Sequence, residues 1–279
     1  MTDTQPERTL KRPDDSLHDV GPDTEELGRA VRQRELLEHW GLVPTSRVLE
    51  VGCGVGRLPY ELSTYFEGGG YVGFDISEDA VRWLNTHYAP HLPHFRFHLF
   101  HVRNARYRPT IGQRADRITF PWDDDSFDMA CSFAVFMHMQ QAEIANYLRE
   151  IGRVLRPGGR AVLTLMAITE ADHELPVLKN RSYSPIGNGV YAQRPDQPTF
   201  GLAFRRELIE AMAIESGLSV VAYTEGSWHG REPVDPAVPY VGGDVFVFQP
   251  AEARRSPLLE RLRSRRRPVR ISSPVLSET

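Results

Sequence analysis

The sequence predicts a doubly wound α/β fold. Two observations carry this. Strand-length apolar runs alternate with helical periodicities between residues 47 and 166, and a glycine-rich stretch, Gly52-Cys53-Gly54-Val55-Gly56, joins the first strand to the helix after it. Such alternation specifies a parallel sheet covered on both faces. The glycines let the chain reverse sharply and let a ligand approach the backbone at the carboxyl end of the strand.

The elements follow in order. Residues 1–20, rich in Pro, Asp, Thr and Arg without apolar periodicity, are expected to form a disordered arm, with the folded domain over residues 21–250. From Thr24 to Trp40, Leu27, Val31, Leu36, Leu37 and Trp40 recur at helical spacing, and Asp23 or Thr24 caps the start. Arg47–Val51 reads as the first strand, Arg57–Tyr65 as a helix and Tyr71–Asp75 as the second strand. Ser77 caps a helix running to about His87. Phe95–His101 and Phe127–Phe133 read as strands three and four, Ala142–Leu155 as a helix, and Arg160–Met166 as the fifth strand. A helix over Arg205–Gly217 and strands over Val220–Glu225 and Asp244–Gln249 complete the pattern.

Two segments interrupt it. Residues 102–119 form a charged loop after the third strand. The chain between Ala167 and Phe204 reads as irregular, and within it Leu178–Phe200 is rich in Pro, Gly, Asn and Gln and carries Tyr183, Tyr191 and Phe200. Long loops in a compact domain are commonly lids or binding loops.

Composition narrows the function. Of 279 residues, 41% are hydrophobic, enough for a sizeable core, while no run reaches the roughly 18–20 apolar residues needed to cross a bilayer. The polar start lacks the apolar stretch of a signal peptide, so a soluble, cytoplasmic protein is expected. Cys53 and Cys131 are expected as free thiols. Cys53 reads as a small loop residue and not a nucleophile, because no base is placed beside it. The formal charge of −4 is unevenly spread: residues 251–279 carry eight arginines against Glu252, Glu260 and Glu278, leaving +5 there and −9 elsewhere. An acidic body disfavours a grip on nucleic-acid phosphates. The tail, with Leu258, Leu259 and Leu262 among its arginines, is expected to be disordered and to make a weak contact with an anionic membrane surface.

The glycine loop is preceded by Glu50, and Asp75 at the end of the second strand follows Gly56 by 19 residues. An acid at that distance can accept hydrogen bonds from both hydroxyls of a ribose, although Asp75 can equally cap the next helix. Arg57 stands where a nicotinamide-binding loop often has its third glycine, which tilts the reading away from that cofactor.

At these residues the sequence resembles the class I S-adenosylmethionine-dependent methyltransferases. The resemblance rests on four motifs in order: Val48-Leu49-Glu50-Val51-Gly52-Cys53-Gly54-Val55-Gly56, Gly73-Phe74-Asp75, Phe120-Pro121-Trp122-Asp123 through Ser126-Phe127-Asp128, and Arg153-Val154-Leu155-Arg156-Pro157-Gly158-Gly159. They span about residues 46–166. The resemblance implies a Rossmann-like, seven-stranded sheet with a reversed last strand, Asp244–Gln249 being an edge hairpin. It also implies S-adenosylmethionine as cofactor, held by Glu50, Gly52, Gly54, Gly56, Asp75, His101, Phe120 and Phe133. Phe120 is expected near the adenine and Pro157-Gly158-Gly159 as the turn into strand five. Many relatives carry an aspartate where His101 stands, so the adenine contact falls to His101 or to Asp116. A narrower likeness, to methyltransferases of sugar and cell-envelope biosynthesis, lies in Asn104-Ala105-Arg106-Tyr107-Arg108-Pro109 and Phe136-Met137-His138-Met139.

For the chemistry, His138 is the candidate general base. It follows the fourth strand on the side where ligands bind, and an imidazole suits proton removal at neutral pH, although a packed or capping histidine is the alternative. Tyr107, Tyr191 and Trp228 are candidate substrate contacts, Trp228 being as well placed to fill a core edge. Ser132-Phe133-Ala134-Val135 lacks the Asn- or Asp-Pro-Pro-aromatic pattern of amino-methylating enzymes. No metal site is expected. Asp123-Asp124-Asp125 cannot converge on one ion. Pro90 and Pro93 break the series His87, His91, His94, His98 and His101. The expected activity is O-methylation of a small-molecule, sugar or glycolipid hydroxyl. The alternatives are an inactive methyltransferase-like binding module and an NAD-type dehydrogenase.

Overall fold

Strand β1, Arg47–Val51, buries every residue from Val48 to Val51, as a central strand covered on both faces must. The structure, a computed structural model, describes residues 10–11, 23–104, 107, 110, 112–172, 182–230 and 242–251. Apart from Leu10, Lys11 and Ala251, the expected arm and tail lie outside the described residues. No helix among the described residues is long and apolar enough to cross a membrane.

The central sheet adds β2 (Gly70–Asp75), β3 (Phe95–Leu99), β4 (Phe127–Ser132), β5 (Leu155–Leu165), β6 (Leu218–Thr224) and β7 (Asp244–Pro250). Its order is β6-β7-β5-β4-β1-β2-β3. Strands β3, β2, β1, β4 and β5 pair in parallel, whereas β7 runs antiparallel to both β5 and β6. The reversed last strand is therefore present, but it is inserted between β5 and β6, and β6 holds the edge expected for Asp244–Gln249. The side chains explain this: Val245 to Phe248 are all buried, while Ser219 and Val221 of β6 are exposed.

Alternation along the strands splits the core. Leu49, Val51 and Phe74 point to the face covered by α4 (Gln141–Val154) and α5 (Arg206–Glu215). Val48, Tyr71 and Cys131 point to the face of α1 (Asp23–His39), α2 (Arg57–Leu62) and α3 (Glu78–His87). Helix α4 buries Ile144, Tyr147, Leu148, Ile151 and Val154 at helical spacing, and Gln140 with Glu143 forms a reciprocal cap at its start. The Ser77 hydroxyl accepts from Ala80 N at the start of α3. Pro157-Gly158-Gly159 lies inside β5 as a bulge. Pairing with β4 jumps from Phe127↔Leu155 to Met129↔Arg160, and Gly158 takes the left-handed conformation this needs at φ 83°.

The stretch expected to be irregular carries a second sheet of four short strands: Ala167–Ile168, Leu202–Arg205, Val190–Ala192 and Ser184–Gly187, in that spatial order. Met166, Ile168, Tyr183, Tyr191, Ala203 and Trp228 form its own small core.

Candidate cofactor and acceptor site

A cavity of about 520 Å³ opens at the carboxyl ends of β1, β2 and β4, within the size range of small-molecule sites. Of the expected residues, Glu50, Gly52, Gly54, Asp75, Tyr107, Phe133 and His138 line it.

The glycine loop forms the floor. Gly52 N and Cys53 N donate to Phe74 O at 2.9 and 3.1 Å, tying the loop to β2. Gly52 and Gly54 have φ of 77° and 50°. A Cβ on Gly52 would lie 2.2 Å from Val135 Cγ2, whereas one on Gly54 would meet nothing within 4 Å. Gly54 thus presents bare backbone to open space in the cavity, a cradle that a side chain would fill. Gly56 does not line the cavity; its conformation brings α2 close to Leu84 of α3.

Asp75 has a double attachment. Gly54 N donates to its Oδ2 at 2.8 Å and Ser77 N donates to its Oδ1 at 2.8 Å. Each carboxylate oxygen can accept more than one hydrogen bond, and the Asp75 side chain lines the cavity. Ser77, and not Asp75, caps the next helix; the backbone donors to Asp75 fix the orientation of a carboxylate that lines the cavity.

Glu50 is 4% exposed, and the Tyr71 hydroxyl donates to its Oε2. Burial pushes its carboxyl up to about 8, while the Tyr71 hydrogen bond and the charge of Arg57 pull it down and Asp75 adds a smaller upward push. Burial also raises the thiols of Cys53 and Cys131.

His138 sits on a single turn of 3₁₀ helix, Phe136–His138, after β4. Its Nδ1 lies 3.0 Å from Thr199 O, its own carbonyl accepts from Asn104 Nδ2 at 3.0 Å, and the Tyr107 ring meets the imidazole edge-on at 5.7 Å. A carbonyl only accepts, so Nδ1 carries the hydrogen and Nε2 is the acceptor nitrogen of the neutral ring. Thr199 belongs to the segment joining two strands of the second sheet, which brings that sheet to the site.

Five expected residues fall elsewhere. His101 is exposed and off the cavity, because β3 ends at Leu99 and alternation turns Phe100 and Val102 inward and His101 outward. Asp116 is taken by Arg114 at 2.9 and 2.6 Å and is also off the cavity, while Val102, Arg103 and Ala115 line it. Phe120 is 1% exposed in the core under α4. Its N–H donates to Glu150 at 2.8 Å and its carbonyl accepts from Arg153 at 2.9 Å. Tyr191 and Trp228 are buried in the second sheet's core, Trp228 Nε1 donating to Asp244 at 2.7 Å. The sequence reading passed over Gln33, Tyr71 and Thr199. Only Tyr71 had a readable signal, its position two residues before Gly73 in a strand bound to pair with β1.

The comparisons with known proteins fit this geometry. Residues 49–163 match the family model described as a methyltransferase domain. The chain is 30% identical over 129 residues to an O-methyltransferase of Penicillium expansum, covering 46% of this chain and 40% of that protein. It is 27% identical over 163 residues to a sterol 24-C-methyltransferase of Schizosaccharomyces pombe, covering 58% of this chain and 39% of that one. The chain thus spans about two fifths of the length of these curated relatives. In fold it is similar to the PH0226 protein of Pyrococcus horikoshii, with a TM-score of 0.56 at 20% identity over 84% of this chain and 95% of that one. A parallel sheet with a glycine loop and an acid at the next strand end defines a nucleotide-type cofactor site. Over residues 49–163, about two fifths of the chain, it carries a methyltransferase domain similar to that of the class I S-adenosylmethionine-dependent methyltransferases.

Proposed function

We propose that this chain transfers the methyl group of S-adenosylmethionine to a hydroxyl of a small-molecule acceptor, with His138 as general base. The observation that carries the reading is the hydrogen bond from His138 Nδ1 to Thr199 O, which assigns Nε2 the acceptor role in a cavity shared with the glycine loop.

In the donor half, Asp75 accepts from the ribose hydroxyls, the Gly54 backbone makes room for the donor, and Glu50 receives the ammonium of the methionine portion. Val102 and Ala115 take the adenine side in place of His101 and Phe120. Bound there, the donor supplies an electrophilic methyl carbon on a sulfonium. The protein's task is then alignment and proton removal, since in-line displacement gains chiefly from orientation. His138 takes the hydroxyl proton at Nε2 while Thr199 O stabilises the charge gained by the ring. Tyr107 packs against that ring and offers an aromatic face and a phenol to the acceptor, a pairing suited to a sugar ring. A sugar or glycolipid hydroxyl is therefore the first acceptor class and a secondary-metabolite hydroxyl the second.

The test is a screen of hydroxylated acceptors with methyl-labelled donor, on the wild type and on His138→Gln. The variant should lose about 10²- to 10⁴-fold in kcat while binding S-adenosylhomocysteine with unchanged affinity. Equal turnover by both proteins would sink the base assignment, and absence of donor binding by the wild type would sink the enzyme reading.

A further inference from the structure

We propose that binding of the methyl donor is coupled to loss of a proton from Glu50, and that Tyr71 is the positioning residue that sets this coupling. The proposal rests on the donor-site reading above. Parallel pairing places Glu50 of β1 opposite Gly73 of β2, and Tyr71, two residues back on β2, shares the face of Gly73. A Cβ on Gly73 would lie 2.5 Å from the Tyr71 hydroxyl oxygen and 2.8 Å from Cys53 Cβ, so the missing side chain is the space through which the phenol reaches the carboxyl. Tyr71 is 1% exposed, and its ring stacks on Phe95 at 5.2 Å, so it is held in that direction.

The carboxyl is thus buried with one neutral donor on Oε2. Its other oxygen takes no hydrogen bond among the described residues, and the side chain lines the cavity. Charging such a group without a cation in contact is costly. The titratable and charged groups facing it are Arg57 from α2, which favours the anion, Asp75 from the end of β2, which opposes it, the phenol of Tyr71 and the thiols of Cys53 and Cys131. Burial outweighs Arg57, so near neutral pH the empty site holds a protonated carboxyl. An arriving ammonium supplies the missing cation. The Glu50 proton passes to solvent, a carboxylate–ammonium pair forms, and the charges balance.

The experiment is calorimetric titration of S-adenosylhomocysteine into the wild-type chain between pH 6 and 7.5, below the usual range of an α-amine, in two buffers of unlike ionisation enthalpy. The expected result is release of about one proton per ligand, with affinity rising roughly tenfold per pH unit. Methylthioadenosine, which lacks the amino acid, should bind without proton release. Glu50→Gln should abolish the release. Tyr71→Phe, which removes the hydrogen bond to Oε2, should shift the pH profile of affinity upward. Binding of S-adenosylhomocysteine with no proton exchanged, or with equal release by methylthioadenosine, would overturn the proposal alone. No binding in any buffer would overturn the donor-site reading with it. The wild-type measurements decide the question even if a variant fails to fold.

Discussion

Gly52 and Gly54 stand two positions apart in one loop and are glycine for different reasons. Both hold positive φ, where a Cβ costs about 1 kcal/mol, but only at Gly52 would the Cβ strike packed protein, at 2.2 Å from Val135. Gly52→Ala should therefore destabilise the fold by roughly 2–4 kcal/mol, the conformational cost plus overpacking. Gly54→Ala should cost about 1 kcal/mol yet weaken S-adenosylhomocysteine binding by more than tenfold, because its methyl enters the donor cavity. Urea unfolding and calorimetry on the two variants separate these outcomes, and the idea fails if Gly54→Ala binds normally. Residues of this kind were legible because strand ends anchor them: Glu50 and Asp75 lie in β1 and β2, and Gly52 and Gly54 follow β1 within three positions. His101 was misplaced because a strand ending two residues early, followed by alternation, turns a side chain from the cavity to solvent. Phe120 was misplaced because its backbone is captured by Glu150 and Arg153, about thirty residues away on α4, a contact no local pattern announces.

At the scale of elements, the second sheet was hidden by its brevity. Strands of two to four residues carry too little alternation to read, and Pro185 lies inside one of them. One signal was present, the pair Asn188-Gly189, which takes φ of 52° and 75° between Ser184–Gly187 and Val190–Ala192 as a tight hairpin demands. What ties this sheet to the central one is Asp244 at the start of β7. Its carboxylate accepts from Ala167 N, Gly226 N, Trp228 Nε1 and His229 Nε2 at 2.6 to 2.9 Å, and is 0% exposed. Asp244→Asn replaces an acceptor by an amide nitrogen in a site made wholly of donors. Breaking a buried charged pair and leaving donors unmatched costs about 3–5 kcal/mol. The urea midpoint should fall accordingly, and amide exchange over residues 182–205 should quicken more than over β1 and β2. If exchange rises evenly across both sheets, Asp244 is not the specific tie. Because Thr199 O holds His138, the same variant should lose methyl transfer in conditions where it still binds S-adenosylhomocysteine.

Across the described residues, His229 and Glu50 are two buried groups whose protons are held more tightly in the folded chain through the neutral range. His229 lies between Asp172 at 3.1 Å and Asp244 at 2.8 Å. Burial opposes its charge, but the two carboxylates prevail and push it up to about 9. Its folded value lies above the unfolded one near 6.5, so its contribution is complete below that pH and is lost as pH rises towards 9. Glu50 is an acid whose folded value, about 8, also lies above its ordinary 4.5, so the native state holds a proton that the unfolded chain releases between those values. Stability falls with rising pH there too. Between pH 6.5 and 8 both slopes add, each at most about 1.4 kcal/mol per pH unit, while ordinary surface carboxylates are already ionised in both states and contribute none. The urea midpoint of the ligand-free chain should therefore drop across this window. His229→Gln and Glu50→Gln should each flatten part of the drop. Saturating S-adenosylhomocysteine should remove the Glu50 share and leave that of His229, since only Glu50 faces the cavity. A midpoint that stays level or climbs from pH 6.5 to 8 in the wild type, with no change of slope in His229→Gln or Glu50→Gln, would overturn this account.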